Sequence, residues 1–326
     1  SDKGIGALVE TGSTFTLNSG GKLDIRGTNN IGFYVKSGAN LNLTGGTVTN
    51  TVDGIFAYLE DGNLHFTSGS SLDIDFANVI VKGTLGNLLN DTSITVGTNG
   101  LQGDSGATIT NSNTGTISGN VVNAKAMVGT GNGTTVTNNG VITLTGDTSI
   151  GMYTEDFAVG TSTGHVSVGD KSAAYYVGVN GIMNISGTSS IGDDSTLLFN
   201  AGGVINYTGN DIVINGNRST VLTLTDGSSL VDFNNKEVTT GINGTGIFLS
   251  GTGDISNVIN LTRLNVSNNS TGIYMDNNLP FLNGVNIDLV GTDAIGIFTT
   301  KDGNIDYSGN IESTTDRNKG IINTGL

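Results

Sequence analysis

The feature that most constrains this sequence is a short recurring phrase: a glycine, then an aliphatic or aromatic residue, then usually an aromatic residue. Clear copies begin at Gly32, Gly54, Gly151, Gly246, Gly272 and Gly296. Weaker copies begin at Gly6, Ala174 and Gly320. Where the phrase is uninterrupted, its copies recur about every 24 residues, a period that indicates a repeat architecture in which each unit packs against the next one.

Each repeat contains the signals of short strands and tight turns. Runs of four or five residues alternate apolar and polar side chains, and Gly, Asn, Asp and Ser separate them, as turns require. Near the C-terminus, one repeat divides into strands over 294–299, 304–307 and 310–313, with a turn at 301–303 between the first two. Three strands and three turns in one such repeat are typical of one coil of a β-helix.

The sequence therefore predicts an all-β fold, a right-handed parallel β-helix (β-solenoid) of about fourteen coils with roughly 24 residues each. Equivalent residues of successive coils should lie above one another, because each strand pairs with its counterpart in the next coil. The predicted rungs of this ladder are Phe33, Ile55, Ile80, Leu101, Met127, Met152, Tyr175, Leu198, Leu222, Ile247, Ile273, Ile297 and Ile321.

Composition agrees with a folded β-solenoid and excludes several other classes. Only 13% of the residues are charged while 35% are hydrophobic, which is the reverse of a disordered chain. The single proline is expected, since proline removes a donor from a strand ladder. Stacked Asn and Thr side chains are expected to hydrogen-bond along the ladder. Glycine is expected to supply the positive φ angles at the corners.

The net charge of −15 disfavours nucleic acid and anionic lipid as partners, because both carry negative charge. The chain has no cysteine, so it has neither disulfides nor a thiolate metal site. No apolar run approaches the roughly 20 residues of a membrane-spanning helix, so we expect no membrane insertion. The sequence starts and stops within repeats and lacks a signal peptide, which suggests that residues 1–326 are one segment of a longer protein.

The most interesting surface candidate is the aromatic residue of the repeated phrase. Neighbouring residues of a strand face opposite sides, so Tyr34 points outward if Phe33 and Val35 point into the core. Exposed aromatic columns suit sugar rings and protein contacts. The opposite register, in which the aromatic residues fill the core beside the glycine, is an open alternative. The candidate ligand-binding residues are Tyr34, Phe56, Tyr153, Tyr176, Phe248, Tyr274 and Phe298.

Catalysis has to be considered, because many carbohydrate-degrading enzymes are β-helices. Asp193 and Asp194 resemble the paired aspartates of polygalacturonase-type glycosidases, which act as acid and base. The Gly-His-Gly and Arg-Ile-Lys elements of those enzymes are missing, and neither His65 nor His165 lies in such a motif. We therefore interpret Gly192-Asp193-Asp194 as a turn and predict a chain that is not an enzyme and has no cofactor.

No pattern predicts a metal site. Asp73, Asp75 and Asp104 lack the spacing of the calcium-binding Gly-Gly-x-Gly-x-Asp repeats, and the two histidines lack partners at ligand spacing.

The phrase, the coil length and the absence of cysteine together resemble the passenger domains of type V autotransporters, and in particular the large adhesins of fusobacterial type. Their Gly-Ile-Gly-Ile-Tyr repeats are similar to Ile31-Gly32-Phe33-Tyr34, Ile150-Gly151-Met152-Tyr153 and Ile295-Gly296-Ile297-Phe298. This resemblance implies a bacterial surface protein, anchored in the outer membrane by a C-terminal barrel that this segment does not contain. It implies partners among host glycans, host receptors or other bacteria.

The leading hypothesis is thus a segment of an autotransporter adhesin that serves as stalk and binding surface. Two alternatives are a pectinase-like enzyme acting on polysaccharides and a purely structural spacer that presents a separate binding head.

Overall fold

The protein is an all-β parallel solenoid, as the sequence predicts. The computed structural model describes residues 4–27, 30–276, 281–282, 285–300 and 306–324, with the backbone alone described at 68–72, 281–282 and 306. The chain divides into two compact units, Ser1–Ser167 (unit 1) and Val168–Leu326 (unit 2). It forms about 12 turns of about 24 residues, slightly fewer than the predicted fourteen.

The first sheet contains the strands of the repeated phrase. In unit 1 it consists of Ile5–Val9, Ile31–Val35, Ile55–Glu60, Val79–Lys82, Asn99–Asp104, Lys125–Thr130 and Ile150–Thr154. In unit 2 it consists of Ala173–Val177, Thr196–Asn200, Thr220–Leu224, Thr245–Ser250, Thr271–Asp276, Ile295–Thr299 and Lys319–Asn323.

The second sheet is formed by the strand that follows the first-sheet strand within each coil, after a tight turn of the chain. Its unit 1 strands are Thr14–Leu17, Asn40–Asn50, Asn63–Ile74, Asn87–Asn90, Thr108–Asn111, Thr135–Asn138 and Val159–Ser162, with Lys22–Ile25 paired to the second of these. Its unit 2 strands are Ile182–Ile185, Val204–Tyr207, Leu230–Thr239, Val258–Val266, Ile287–Leu289 and Ile311–Ser313, with Ile212–Val213 paired to the third of these.

The remaining strands are short. A third sheet in unit 1 contains Ser93–Thr95, Thr116–Gly119 and Val141–Leu144. Third strands also occur at His165–Val168 and Thr188–Ile191, and Phe281–Leu282 pairs with Asp306–Tyr307. Within the described residues, the only helical element is the 3₁₀ turn Ile255–Asn257.

The C-terminal coil matches its sequence-based division closely. Its strands are Ile295–Thr299, Asp306–Tyr307 and Ile311–Ser313, against predicted bounds of 294–299, 304–307 and 310–313. The predicted turn at 301–303 lies outside the described residues.

The ladder of equivalent residues is confirmed within each unit, with one local error. In unit 2 the Cα partners run from Tyr175 through every predicted rung to Ile321. In unit 1, however, Phe33 pairs with Ala57, and Ala57 pairs with Val79. The predicted rungs at Ile55 and Ile80 are therefore wrong by two residues and one residue.

The glycine of the phrase serves close packing between coils. A Cβ added to Gly246 would lie 2.6 Å from the carbonyl oxygen of Gly272, and one added to Gly272 would lie 2.6 Å from that of Gly296. Such distances are far below contact, so a side chain here would force the coils apart in these repeats. Phe56 occupies the equivalent position in its own coil, and there the strand Ile55–Glu60 carries the side chain into the core.

The prediction that glycine supplies the positive φ angles is only partly right. Among the described residues, eighteen non-glycine residues have positive φ, against eleven glycines. One corner of unit 2 repeats this conformation in successive coils with Asn, Asp, Lys or Arg. The members of this corner are Lys171, Asp194, Arg218, Asn243, Asn269, Asp293 and Arg317. Asn and Asp tolerate the left-handed region, and the basic members are held by partners in neighbouring coils, as Arg218 and Arg317 show with Asp194 and Asp293.

A buried asparagine ladder stabilises unit 1 from inside. Asn90, Asn111 and Asn138 are fully buried, and the amide nitrogens of Asn90 and Asn111 each donate to the side-chain oxygen of the next member at 2.8 Å. Each coil thus satisfies a polar group of its neighbour, and a strand that slipped by one residue would lose both partners. This confirms the expectation that amide side chains hydrogen-bond along the stack.

Replacement of Asn111 by leucine should destabilise the fold, because it leaves the Asn90 amide and the Asn138 oxygen buried without partners. We expect a loss of about 1–3 kcal/mol in the free energy of unfolding for each unpaired group, measured by urea denaturation. The exposed neighbour Asn113 provides the control, and Asn113→Leu should change stability by less than about 0.5 kcal/mol. Equal effects of the two substitutions would contradict the proposed role of the ladder.

Candidate functional site

The first sheet presents one outward column of side chains, formed by the fourth residue of its typical five-residue strand. The burial pattern of that strand is half-buried, buried, buried, half-buried and buried, so the fourth side chain is the outward one between two core residues. We call this set the outer column. In unit 1 it comprises Leu8, Tyr34, Tyr58, Ile80, Gln102, Val128 and Tyr153. In unit 2 it comprises Tyr176, Phe199, Thr223, Phe248, Tyr274, Phe298 and Ile322.

Six of the seven aromatic residues singled out from the sequence lie on the outer column and are half-buried. They are Tyr34, Tyr153, Tyr176, Phe248, Tyr274 and Phe298. The register with the preceding residue inward and the aromatic ring outward is therefore the one that the structure adopts at these positions.

Phe56 is the exception, and its assignment to the column was wrong. Its side chain has no exposed surface and packs in the core of unit 1, with ring centroids 5.8 Å from both Phe33 and Phe66. The reason is that the phrase copy Gly54-Ile55-Phe56 lies two residues out of register with the strand pairing: Phe56 stands where Gly32 stands in the preceding coil, and Tyr58 pairs with Tyr34.

Sequence reasoning missed two aromatic members of the column, Tyr58 and Phe199. Both lie one coil after a recognised member, since Tyr58 pairs with Tyr34 and Phe199 pairs with Tyr176. The one-coil spacing was the available signal. This signal was missed because the repeated phrase has a glycine two positions before its aromatic residue, and neither Tyr58 nor Phe199 has one there.

In unit 1 the column borders a row of charges. Tyr34 and Tyr58 stack with centroids 5.3 Å apart, and the Tyr34 hydroxyl donates to Glu60 at 2.5 Å. That hydrogen bond is the main cause that raises the pKa of Tyr34 to about 12. In the same row, Lys36 pairs with Glu10 and the Lys82 ammonium lies 3.4 Å from Asp104.

At the last unit 1 position, Tyr153 is fixed by two charged groups. Its hydroxyl donates to Glu155 at 2.5 Å, and the Lys125 ammonium lies 5.4 Å from the centre of its ring. The unit 1 rings therefore belong to a polar, charge-paired surface.

In unit 2 the column is more continuous and almost uncharged. Tyr176 and Phe199 stack at 4.7 Å with an angle of 8° between ring planes. The rings of Phe248 and Tyr274 are 5.4 Å apart, and those of Tyr274 and Phe298 are 5.3 Å apart. Aromatic pairs of this kind contribute about 0.5–1.5 kcal/mol beyond their buried area. Thr223, 5% exposed, separates the two ring groups.

Polar side chains lie on both sides of Phe248 and Tyr274. The first residues of four successive strands form an in-register row of half-buried threonines, whose hydroxyls have no hydrogen-bond partner within the described residues. These are Thr196, Thr220, Thr245 and Thr271. Two positions beyond the column stand Thr225, Ser250, Asp276 and Thr300, whereas Gly178 and Ala201 hold this place after Tyr176 and Phe199. Among the described first-sheet strands of unit 2, only Asp276 and Lys319 are charged.

Asp193 and Asp194 lie in a turn, as predicted, and both carboxylates are engaged there. Asp193 accepts from the backbone nitrogen of Asn217 at 2.8 Å, and Asp194 forms two 2.7 Å hydrogen bonds with Arg218. Arg218 is the main cause that holds the pKa of Asp194 below its usual range. A glycosidase general acid needs a raised pKa, so the shift runs in the opposite direction from that role.

The histidines are embedded in the second- and third-sheet strands. The Nε2 atom of His65 lies 2.7 Å from Asp91. Burial works against ionisation of Asp91, but the hydrogen bonds of Ser112 and His65 outweigh it and lower the pKa of this carboxyl. His165 is half-buried at the start of His165–Val168.

Across the part of the chain that the structure describes, no three His, Cys, Asp or Glu side chains converge as a metal cluster. Asp73 and Asp75 are exposed, and Asp104 faces Lys82.

Comparison with known proteins finds no matching family model, no similar curated protein and no similar solved structure. In the described residues, no helix has the length and apolar character needed to cross a membrane.

The pKa of Tyr34 supplies a direct check of the charge row. Replacement of Glu60 by alanine removes the acceptor and should return this pKa towards about 10, the usual tyrosine value. One more tyrosine should then ionise near that pH in a titration followed by tyrosinate absorbance. The matched control is Glu10→Ala, which removes a carboxylate that contacts Lys36 in the same row.

The sign of the stability effect follows from the same shift. The folded-state pKa lies above that of free tyrosine, so folding favours the protonated form. This contribution is intact below about pH 10 and should be lost as the pH rises towards 12. An unchanged titration curve in the Glu60 variant would contradict the hydrogen bond.

Proposed function

We propose that this chain is a segment of a bacterial surface adhesin that attaches to its partner through the outer column. The observation that carries the proposal is the run of half-buried aromatic rings, held in register on one face of each unit. Large aromatic groups in contact with solvent are unfavourable unless a partner covers them, and aromatic residues dominate the energetics of recognition surfaces.

The chemistry around the rings favours an uncharged glycan as the partner, and unit 2 as the main contact. Sugar rings present apolar C–H faces to aromatic residues and hydroxyls to polar neighbours. In unit 2, Phe248 and Tyr274 stand between the threonine row, represented here by Thr245 and Thr271, and the row beyond the column, represented by Ser250 and Asp276. At about 3.3 Å per residue, these rows lie about 10 Å and about 7 Å from the rings along the strand. An acidic polymer would meet no basic row here.

The wider setting of the proposal is the type V secretion pathway. The repeat phrase, the absence of cysteine and the parallel solenoid support a passenger segment at the cell surface, with anchoring in the outer membrane supplied elsewhere. The net charge of −15 argues against nucleic acid as a partner. The same stacked ladders would also serve a spacer that only carries a separate head, so the experiment must separate binding from spacing.

The test measures retention of the purified chain on host cells, on partner bacteria and on immobilised neutral glycans. Phe248→Ala combined with Tyr274→Ala should weaken retention at least tenfold, because central aromatic contacts typically contribute about 1–2 kcal/mol or more each. Ile242→Ala is the matched control, since it truncates an exposed apolar residue of unit 2 that lies off the column.

A variant that completes the column provides the opposite test. Thr223 pairs with Phe199 on one side and Phe248 on the other, so Thr223→Phe should join the two ring groups and tighten retention. If the unsubstituted chain is retained on none of the three surfaces, the adhesive role fails and the spacer role is left.

A further inference from the structure

Unit 2 contains a half-enclosed cavity that has no connection with the outer column. Its volume is about 220 Å³, and it lies between Thr188–Ile191 and Ile212–Val213. Its inner wall is formed by Ser189, Leu197, Tyr207 and Ile212.

A change of residue type accounts for the open space. In the third-sheet strands that precede Thr188–Ile191, the second residue is a buried aliphatic side chain: Ile94, Ile117, Ile142 and Val166. The corresponding second residue of Thr188–Ile191 is Ser189, whose hydroxyl donates to the Tyr175 hydroxyl at 3.1 Å. Serine fills less volume than isoleucine, so the wall recedes at this point.

The cavity also contains a polar group that the protein itself does not satisfy. Tyr207 is 7% exposed, and its hydroxyl has no hydrogen-bond partner among the described residues. This hydroxyl opens into the cavity, so its partner has to be water or a ligand.

The same sequence motif elsewhere in unit 2 shows the contrast. Tyr307 is followed by Ser308-Gly309-Asn310, as Tyr207 is followed by Thr208-Gly209-Asn210. The Tyr307 hydroxyl donates to the carbonyl oxygen of Val285 and lies 3.1 Å from that of Asn310. The tyrosine hydroxyl of this motif is thus hydrogen-bonded within the protein at Tyr307, whereas at Tyr207 it is open to the cavity.

The rim adds acceptors and no positive charge. Asp211 and Asn210 are exposed at the mouth, and one carboxylate oxygen of Asp211 accepts from the backbone nitrogen of Glu237 at 2.9 Å. Burial, followed by the proximity of Tyr175 and Asp211, raises the pKa of Tyr207 to about 12. The hydroxyl thus stays protonated at neutral pH and can donate.

We propose that this cavity binds one small uncharged polyhydroxylated ring, a single monosaccharide unit. The Tyr207 hydroxyl and the free oxygen of Asp211 hydrogen-bond to its hydroxyls, while Leu197 and Ile212 contact its apolar face. An anionic ligand would meet Asp211 without a basic partner among the cavity-lining residues, whereas a purely apolar ligand would leave Tyr207 unpaired.

The experiment titrates the whole chain with methyl glycosides of common neutral hexoses and with N-acetylglucosamine, followed by saturation-transfer NMR. At least one probe should bind saturably, and Tyr207→Phe should weaken it about 2- to 12-fold, the usual range for one hydrogen bond. Tyr307→Phe is the matched control and should leave the affinity unchanged, because that hydroxyl is already paired within the protein.

Ser189→Ile tests the space itself and should abolish binding by filling the cavity. Its stability is measured alongside, and Tyr207→Phe keeps the proposal testable if the isoleucine variant does not fold. The proposal is overturned if no probe saturates, or if Tyr207→Phe and Tyr307→Phe have equal effects on affinity; the cavity then holds water only. Retention by the outer column is tested with variants of Thr223, Phe248 and Tyr274. The result for the cavity therefore neither supports nor contradicts the adhesive role.

Discussion

Hydrogen bonding between the backbones of successive coils is the interaction on which every other feature of this protein depends. The strand pairs are parallel, and within the first sheet of unit 2 each residue has its counterpart of the next coil directly beside it. Equivalent side chains of successive coils are therefore stacked into columns. The buried amides of Asn90, Asn111 and Asn138 form a chain of hydrogen bonds for this reason, and the outer rings form stacks for the same reason.

The same geometry produces two different surfaces from one repeat. In unit 1 the column is bordered by Glu10, Lys36 and Glu60, which pair with each other or with a tyrosine hydroxyl. In unit 2 the same positions carry mainly small or hydroxyl side chains such as Ala201, Thr225 and Ser250, and the rings meet few charges. The residue types repeated at one position of successive strands thus set the character of the face beside the rings. This is why we place the proposed glycan contact in unit 2.

Much of the fold was predictable because the sequence repeats its core pattern. From Tyr175 onward, each first-sheet rung was placed correctly, since Gly-Ile phrases and intervening Leu residues keep the spacing visible. The errors occurred where the phrase misleads. Gly54-Ile55-Phe56 looks like another copy, yet Phe56 occupies the glycine position and Tyr58 carries the column. Such a small shift is invisible to a pattern whose steps already vary by several residues from coil to coil.

The outward direction of the rings could not be obtained from the sequence, because both sides of these strands carry apolar residues. The cavity beside Tyr207 was equally out of reach, since it depends on Ser189 standing where the preceding coils place isoleucine or valine, and on which tyrosine hydroxyl donates to a carbonyl oxygen. Both features depend on contacts between residues of neighbouring coils, which the sequence pattern does not specify.

The unequal lengths of the coils bear on how such a chain can change in length. Phe33 pairs with Ala57, 24 residues later, whereas Leu101 pairs with Met127, 26 residues later, and both pairs belong to the same parallel sheet. Differences of a few residues in coil length are therefore absorbed outside the paired strands. Internal gain or loss of one whole turn is expected to keep parallel pairing on both sides of the change.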